Sequence, residues 1–190
     1  MKIFIAVLVL IFNIQSLSKA DDIRDFQIEG MSVGDSLLDF YSKKEIRDFY
    51  NYDDLPSDMK FRIADDINSN LSQFEGLQFF YKPEDKKFII HSISGRIFCT
   101  EKCNNLLESI KSDILKSFDN KKINKETFKH TDDSSGKSIV ELYSIKLNNG
   151  DIDIAYTNWS GNVEYADHVG VSISTKEAIN WTRNNYGANY

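Results

Sequence analysis

Cysteine, proline and histidine are all scarce: two, two and three among 190 residues. A chain of this length can bury roughly 70% of its unfolded surface, so it needs neither disulfide staples nor a metal to fold. No cofactor is expected. Three histidines allow few acid-base designs, and none falls in an H-E-x-x-H or other paired ligand spacing. No serine occupies a G-x-S-x-G elbow. The chain is therefore not expected to be an enzyme. Basic residues are also in deficit, 23 Lys and Arg against 29 Asp and Glu. That balance repels phosphate backbones and anionic headgroups, so nucleic acid is not an expected partner.

What is present is an ordinary globular composition, 41% hydrophobic and 27% charged, too apolar and too aromatic for a disordered tail. One apolar run stands apart. Lys2 precedes ten unbroken apolar residues, Ile3 to Phe12, followed by a more polar stretch ending Ser18-Lys19-Ala20. This is the pattern of a secretory signal peptide over residues 1–20, cleaved between Ala20 and Asp21. It is too short to span a bilayer, which takes about 20 apolar residues. Lys2 and Lys19 leave with the leader, so the mature chain carries 21 basic residues against 29 acidic ones, a net charge of −8. No second run reaches spanning length. The expected location is outside the cytoplasm, periplasmic or secreted, with no membrane span after cleavage.

Within residues 21–190 helix and strand signals alternate without a Pro- or Gly-rich linker. Ser32 with Asp35 suggests a capped helix carrying Leu37, Leu38 and Tyr41, and Ser42 with Glu45 opens a second over Lys43 to Tyr50. The run from Asn51 to Asp58 reads as loop. FRIADDI is a weak strand, whereas LQFFYK and KFIIHSISGRIFC make a hairpin about Pro83-Glu84-Asp85-Lys86. Leu106, Leu107, Ile110, Ile114 and Leu115 predict a helix from Glu101 to about Phe118. The segment from Asp119 to Gly136 reads as a polar loop. SIVELYSIKL and DIDIAYTNW flank the turn Asn148-Asn149-Gly150, HVGVSIS follows, and Ser174 with Glu177 opens a last helix through Trp181. Hairpin-linked strands are antiparallel, so the expected fold is α+β, an antiparallel sheet covered by helices on one face. It forms one domain, with 21–99 and 100–190 as candidate helix-plus-sheet halves; no residue-level repeat accompanies them.

Cys99 and Cys103 offer the first candidate chemistry. In an oxidising compartment they form a small structural disulfide, with two buried free thiols as the alternative. A third reading is a metal or redox site, since a strand, C-x-x-x-C and a helix resemble the copper-binding segment of the Sco family of copper chaperones. That likeness implies a distant histidine ligand, His130 or His168. It departs from the family in lacking a proline after Cys103 and in having hairpin-linked rather than parallel strands. TDDSSGKS, Thr131 to Ser138, superficially suggests a phosphate loop, but Thr131 stands where a glycine is required and a strand follows. His91 alternates with Ile89 and Ile93 as a strand residue does. His130 and His168 lie near Asp132, Asp133 and Asp167 in sequence, the only material for a hydrolase. Trp159 is either a binding anchor or a packing residue.

The segments IEGMSVGDSLLDFYSKKEI, DKKFIIHSISG and STKEAINW resemble a family of small exported proteins of unknown function from AT-rich marine bacteria. The opening G-M-S-x-G-D-S-L-L is similar to the helix-then-sheet units of outer-membrane assembly lipoproteins and β-lactamase-inhibitor-like domains, without the lipoprotein cysteine. The resemblances bring no activity; the absence of catalytic spacing and the presence of a signal peptide lead to the expectation of a non-catalytic periplasmic module that binds a protein or envelope component through an open sheet face or edge. The alternative is a thiol or copper protein using Cys99 and Cys103. Nothing in the sequence indicates an oligomeric state.

Overall fold

The computed structural model describes residues 22–51, 59–67, 69–99, 103–118, 121–161 and 164–186. The leader, the Ala20 to Asp21 cleavage site and most of the loop expected at 51–58 lie outside them. Eight strands form one sheet: β1 (Tyr50–Asn51), β2 (Arg62–Asp66), β3 (Gly76–Tyr81), β4 (Ser92–Phe98), β5 (Ile123–Lys129), β6 (Ile139–Lys146), β7 (Gly150–Asn158) and β8 (His168–Thr175). Three α-helices accompany them, α1 (Lys43–Asp48), α2 (Cys103–Lys116) and α3 (Lys176–Tyr186). The sheet order is β1-β2-β3-β4-β8-β7-β6-β5, and every neighbouring pair is antiparallel. The fold is α+β. It consists of two four-stranded meanders, one after α1 and one after α2, whose last strands meet side by side.

Local chemistry accounts for most elements. Ser42 and Glu45 form a complete capping box at α1. In the β6 to β7 turn the Leu147 amide donates to the Gly150 carbonyl at 2.9 Å. Gly150 is required there, because a Cβ would overlap the Ser174 carbonyl and the Ile23 side chain. The helix expected after Ser32 is reduced to a short 3-10 turn at Leu37–Asp39. Tertiary bonds draw that segment away from α geometry: Ser36 Oγ donates to the Lys87 carbonyl at 2.6 Å and the Leu37 amide to the Phe88 carbonyl at 3.1 Å. At α3 the cap is Thr175, whose Oγ1 accepts from the Ala178 amide, rather than Ser174. The segment expected as a polar loop holds β5, an edge strand paired with β6 from Ile123↔Ile145 to Lys129↔Ile139. Most of its side chains are exposed, so it lacks the apolar alternation of a half-buried strand.

Register divides the sheet into two unlike faces. On the first, Leu77, Phe79, Ile93, Ile152, Ile154, Val169, Val171 and Ile173 join the main core. Leu107, Ile110 and Ile114 of α2 cover it, together with a strap carrying Ile23, Phe26, Ile28, Met31, Val33 and Leu37. The strap is fastened by Glu29. Its carboxylate accepts the amides of Ser72, Gln73 and Phe74 and the Ser72 hydroxyl, at 2.6 to 3.2 Å. The expected helix-covered face is thus present, but α3 does not share it. Trp181 lies 5.4 Å from the Phe61 ring and 5.7 Å from that of Phe80. Phe80 pairs with Ser92 and points to the second face, so α3 turns over that side from the end of β8.

Candidate functional site

The second face is built in rows that follow from the ladder register. The row under α3 runs Ile63, Phe80, Ser92, Ser174, Asp151, Lys146. The next runs Asp65, Gln78, Ser94, Ser172, Asp153, Ser144, Asn124, polar on all seven strands. Its members largely satisfy one another. Gln78 Nε2 donates to Asp65 at 2.9 Å, Arg96 Nη2 donates to Asp65 at 3.0 Å, and Ser144 Oγ donates to Asp153. In the neighbouring row Lys146 pairs with Asp151, and the hydroxyls of Ser92 and Ser174 lie 2.7 Å apart. Side chains bonded in this way need no apolar cover. Burial raises the Asp153 carboxyl above the ordinary range, opposed by the Ser144 hydroxyl and Lys146.

The third row places Arg96 between Gly76 and Gly170, with Ala155 beyond. Between these small neighbours the guanidinium reaches Asp65 on β2, two strands away. The fourth row holds Phe98, His168, Thr157, Val140 and Phe128. Phe98 is 48% exposed, and its ring lies 6.0 Å from that of His168. Past the strand ends three more rings gather: His130 lies 4.2 Å from Trp159, and Trp159 lies 4.7 Å from Tyr165, which is 61% exposed. The Trp159 amide donates to Asp167 at 2.8 Å, and its Nε1 is buried without a hydrogen-bond partner among the described residues. The Asp132 amide donates to His130 Nδ1 at 3.2 Å. Burial lowers the pKa of both His130 and His168, opposed at His130 by Asp132 and Asp133 and at His168 by the Ala166 carbonyl and Asp167.

Several sequence candidates find local structural roles. In TDDSSGKS the Asp133 carboxylate accepts the amides of Ser135, Lys137 and Ser138 and the hydroxyls of Ser138 and Ser160. Those bonds hold its pKa well below the usual carboxylate range. It is a loop clamp leading into β6. His91 lies against the Phe61 ring at 5.0 Å, with Nδ1 3.5 Å from Glu177, a carboxylate that also meets Lys60 and Lys82 at 3.0 Å each. That cluster anchors the start of α3. An open acidic cleft beside Glu45, Asp48 and Asp66 has its carboxylates occupied by Ser42, Lys44 and Tyr41 respectively.

The sulfurs of Cys99 and Cys103 lie within bonding distance where β4 leads to α2. Cys103 is buried and Cys99 packs against the main core, whereas His168 points to the second face beside Phe98. The three residues that a copper site would use are not brought together. No group of three or more His, Cys, Asp or Glu among the described residues could hold a metal ion. His130 stands 4.0 Å from Asp132, and among the described residues no serine hydroxyl bonds to either histidine. Arg96, Phe98 and Tyr165 carry no distinguishing sequence signal, since their association depends on register and on loop closure. No helix among the described residues is long and apolar enough to cross a membrane. Compared with known proteins, the chain matches no family model, no curated protein and no solved structure.

Proposed function

We propose that the protein is an exported, non-catalytic binding module that docks an envelope protein on the second face of its sheet. The observation that carries this reading is the uncovered part of that face. It is a self-satisfied polar floor in which Arg96, flanked by small residues, is paired with Asp65, and Phe98 and Tyr165 are exposed at one end. Arginine and aromatic side chains are the types that dominate protein-protein contacts, and a floor without unpaired groups costs little to desolvate. The alternative, a thiol/disulfide or copper protein using Cys99 and Cys103, is supported by the pairing of the two sulfurs alone; among the described residues no group of three or more His, Cys, Asp or Glu gathers beside them.

Affinity capture from envelope extracts tests the proposal when run on matched variants. Wild type and a control changed on the exposed side of α2, Glu108→Ala, should retain the same protein partner, while Arg96→Ala with Phe98→Ala should lose it. Equal capture by all three, or turnover of an envelope substrate by the purified protein, would overturn the reading. Export is tested separately by N-terminal sequencing of the protein from the cell exterior, expected to begin at Asp21.

A further inference from the structure

We infer that the aromatic end of this face, Trp159 and Tyr165 with His130 beside the Phe98 and His168 pair, receives the lysine or arginine of a basic protein segment. The inference rests on the docking reading and names the partner's chemistry.

Its first support is the grouping of rings. Trp159 is flanked by His130 and Tyr165 at 4.2 and 4.7 Å, and Tyr165 and Phe98 present exposed ring surface to solvent. Aromatic faces carry partial negative charge and attract cations lying within about 6 Å. The second support is the sign of the fixed charge around those rings. Asp132 and Asp133 lie beside His130, with the exposed Lys129 and Lys137 on the two arms of the same loop. Asp167 underlies Trp159 through its backbone amide, and Glu164 is exposed beside Tyr165. Burial disfavours the charged form of both His130 and His168. Arg96, the basic group felt by His168, is already engaged by Asp65 at 3.0 Å. The third support is global: a mature chain of net charge −8 draws basic partners and repels acidic ones.

These features select among occupants. An aliphatic segment laid on the rings would desolvate Asp132 and Glu164 without supplying a counter-charge, which is unfavourable. An acidic segment would meet carboxylates of its own sign. A lysine or arginine satisfies both the rings and the acids around them, with arginine better suited because its planar guanidinium also stacks.

The test uses the purified protein carrying Trp181→Phe, which leaves Trp159 as the sole tryptophan and its fluorescence as the readout. Three synthetic decapeptides are titrated: alternating Gly and Arg, alternating Gly and Glu, and alternating Gly and Ser. A chitin hexasaccharide serves as an uncharged ring-stacking ligand. The Arg peptide should give a saturable change with affinity at least tenfold above the Ser peptide, and the Glu peptide should give none. Tyr165→Ala and Asp132→Asn should each weaken the Arg peptide by about threefold or more, with unchanged melting curves, and raising salt from 50 to 300 mM should weaken it further. Equal binding of Arg and Glu peptides, undiminished binding in Tyr165→Ala, or preference for the hexasaccharide would each overturn the inference. So would absence of any Arg-peptide binding. Those outcomes leave the docking face to be judged by the capture experiment, whose Arg96 and Phe98 variants report on the face whatever the partner's charge.

Discussion

The two faces of the sheet share the same strands and differ in nearly everything else. One is built from Leu, Ile, Val and Phe side chains with exposures near zero, under α2 and the N-terminal strap. The other alternates with it residue by residue, yet presents Ser, Asp, Gln, Arg and Gly, with α3 packed on the end near Phe61 and Phe80. The contrast separates stability from recognition. Removing side chains from the first face should unfold the protein, while removing them from the open part of the second should leave a folded protein with altered binding.

The largest expected effect breaks the first face. Phe79 is fully buried, stacked on Phe49 at 5.8 Å and edge-on to Tyr41 at 5.9 Å. Phe79→Ala should cost about 4 kcal/mol in urea unfolding, against less than about 0.5 kcal/mol for Ser94→Ala on the open face. A sharper comparison uses two glycines on adjacent strands. A Cβ on Gly95 would overlap the Phe74 ring, whereas one on Gly170 meets nothing closer than the Gly95 carbonyl at 3.7 Å. Gly95→Ala should destabilise by about 2 kcal/mol through overpacking. Gly170→Ala should be silent in the same melt, and equal costs would mean that the second face is covered after all.

The strap supplies a pH-dependent version. Burial alone would raise the Glu29 carboxyl, but the hydrogen bonds from Ser72, Gln73 and Phe74 outweigh it and hold the pKa below its ordinary 4.5. A carboxylate with a depressed folded pKa stabilises the fold at pH values above the unfolded pKa, and that stability is lost as pH falls through the folded value. Glu29→Gln should therefore be less stable than wild type at pH 7, by about 1 kcal/mol once solvent screening of this partly exposed group is allowed for, the difference shrinking below about pH 4.5. A gap that does not narrow in acid would show that the clamp works by shape rather than charge. The smallest effect on stability should come from Tyr165→Ala, within about 0.5 kcal/mol of wild type, because the side chain is mostly exposed.

Much of this architecture was legible before any coordinates. Strands β3, β4, β6, β7 and β8 announce themselves by alternation, α2 by helical spacing, and the β6 to β7 turn by Asn148-Asn149-Gly150. β5 escaped because an edge strand with exposed Lys125 and Glu126 has no buried face to reveal it. The strap's short 3-10 turn escaped because its geometry is dictated by Lys87 and Phe88, some fifty residues away. The candidate site was harder still. Trp159 was readable only as anchor or packing, and its neighbours His130 and Tyr165 come from separate loops. Cys99 and Cys103 were legible as a pair, but that His168 lies on the second face beside Phe98 follows only from strand parity.

The seam between β4 and β8 joins residues that leave the ribosome far apart in time. Ser92 pairs with Ser174 and Phe98 with His168, so β4 lacks its neighbour until β5, β6, β7 and β8 have all been made. During that interval the first meander stands with a bare edge, a template for any stray strand. Loss of the last twenty residues would therefore do more than trim a helix. It would remove most of β8, leaving β4 and β7 each with a bare edge.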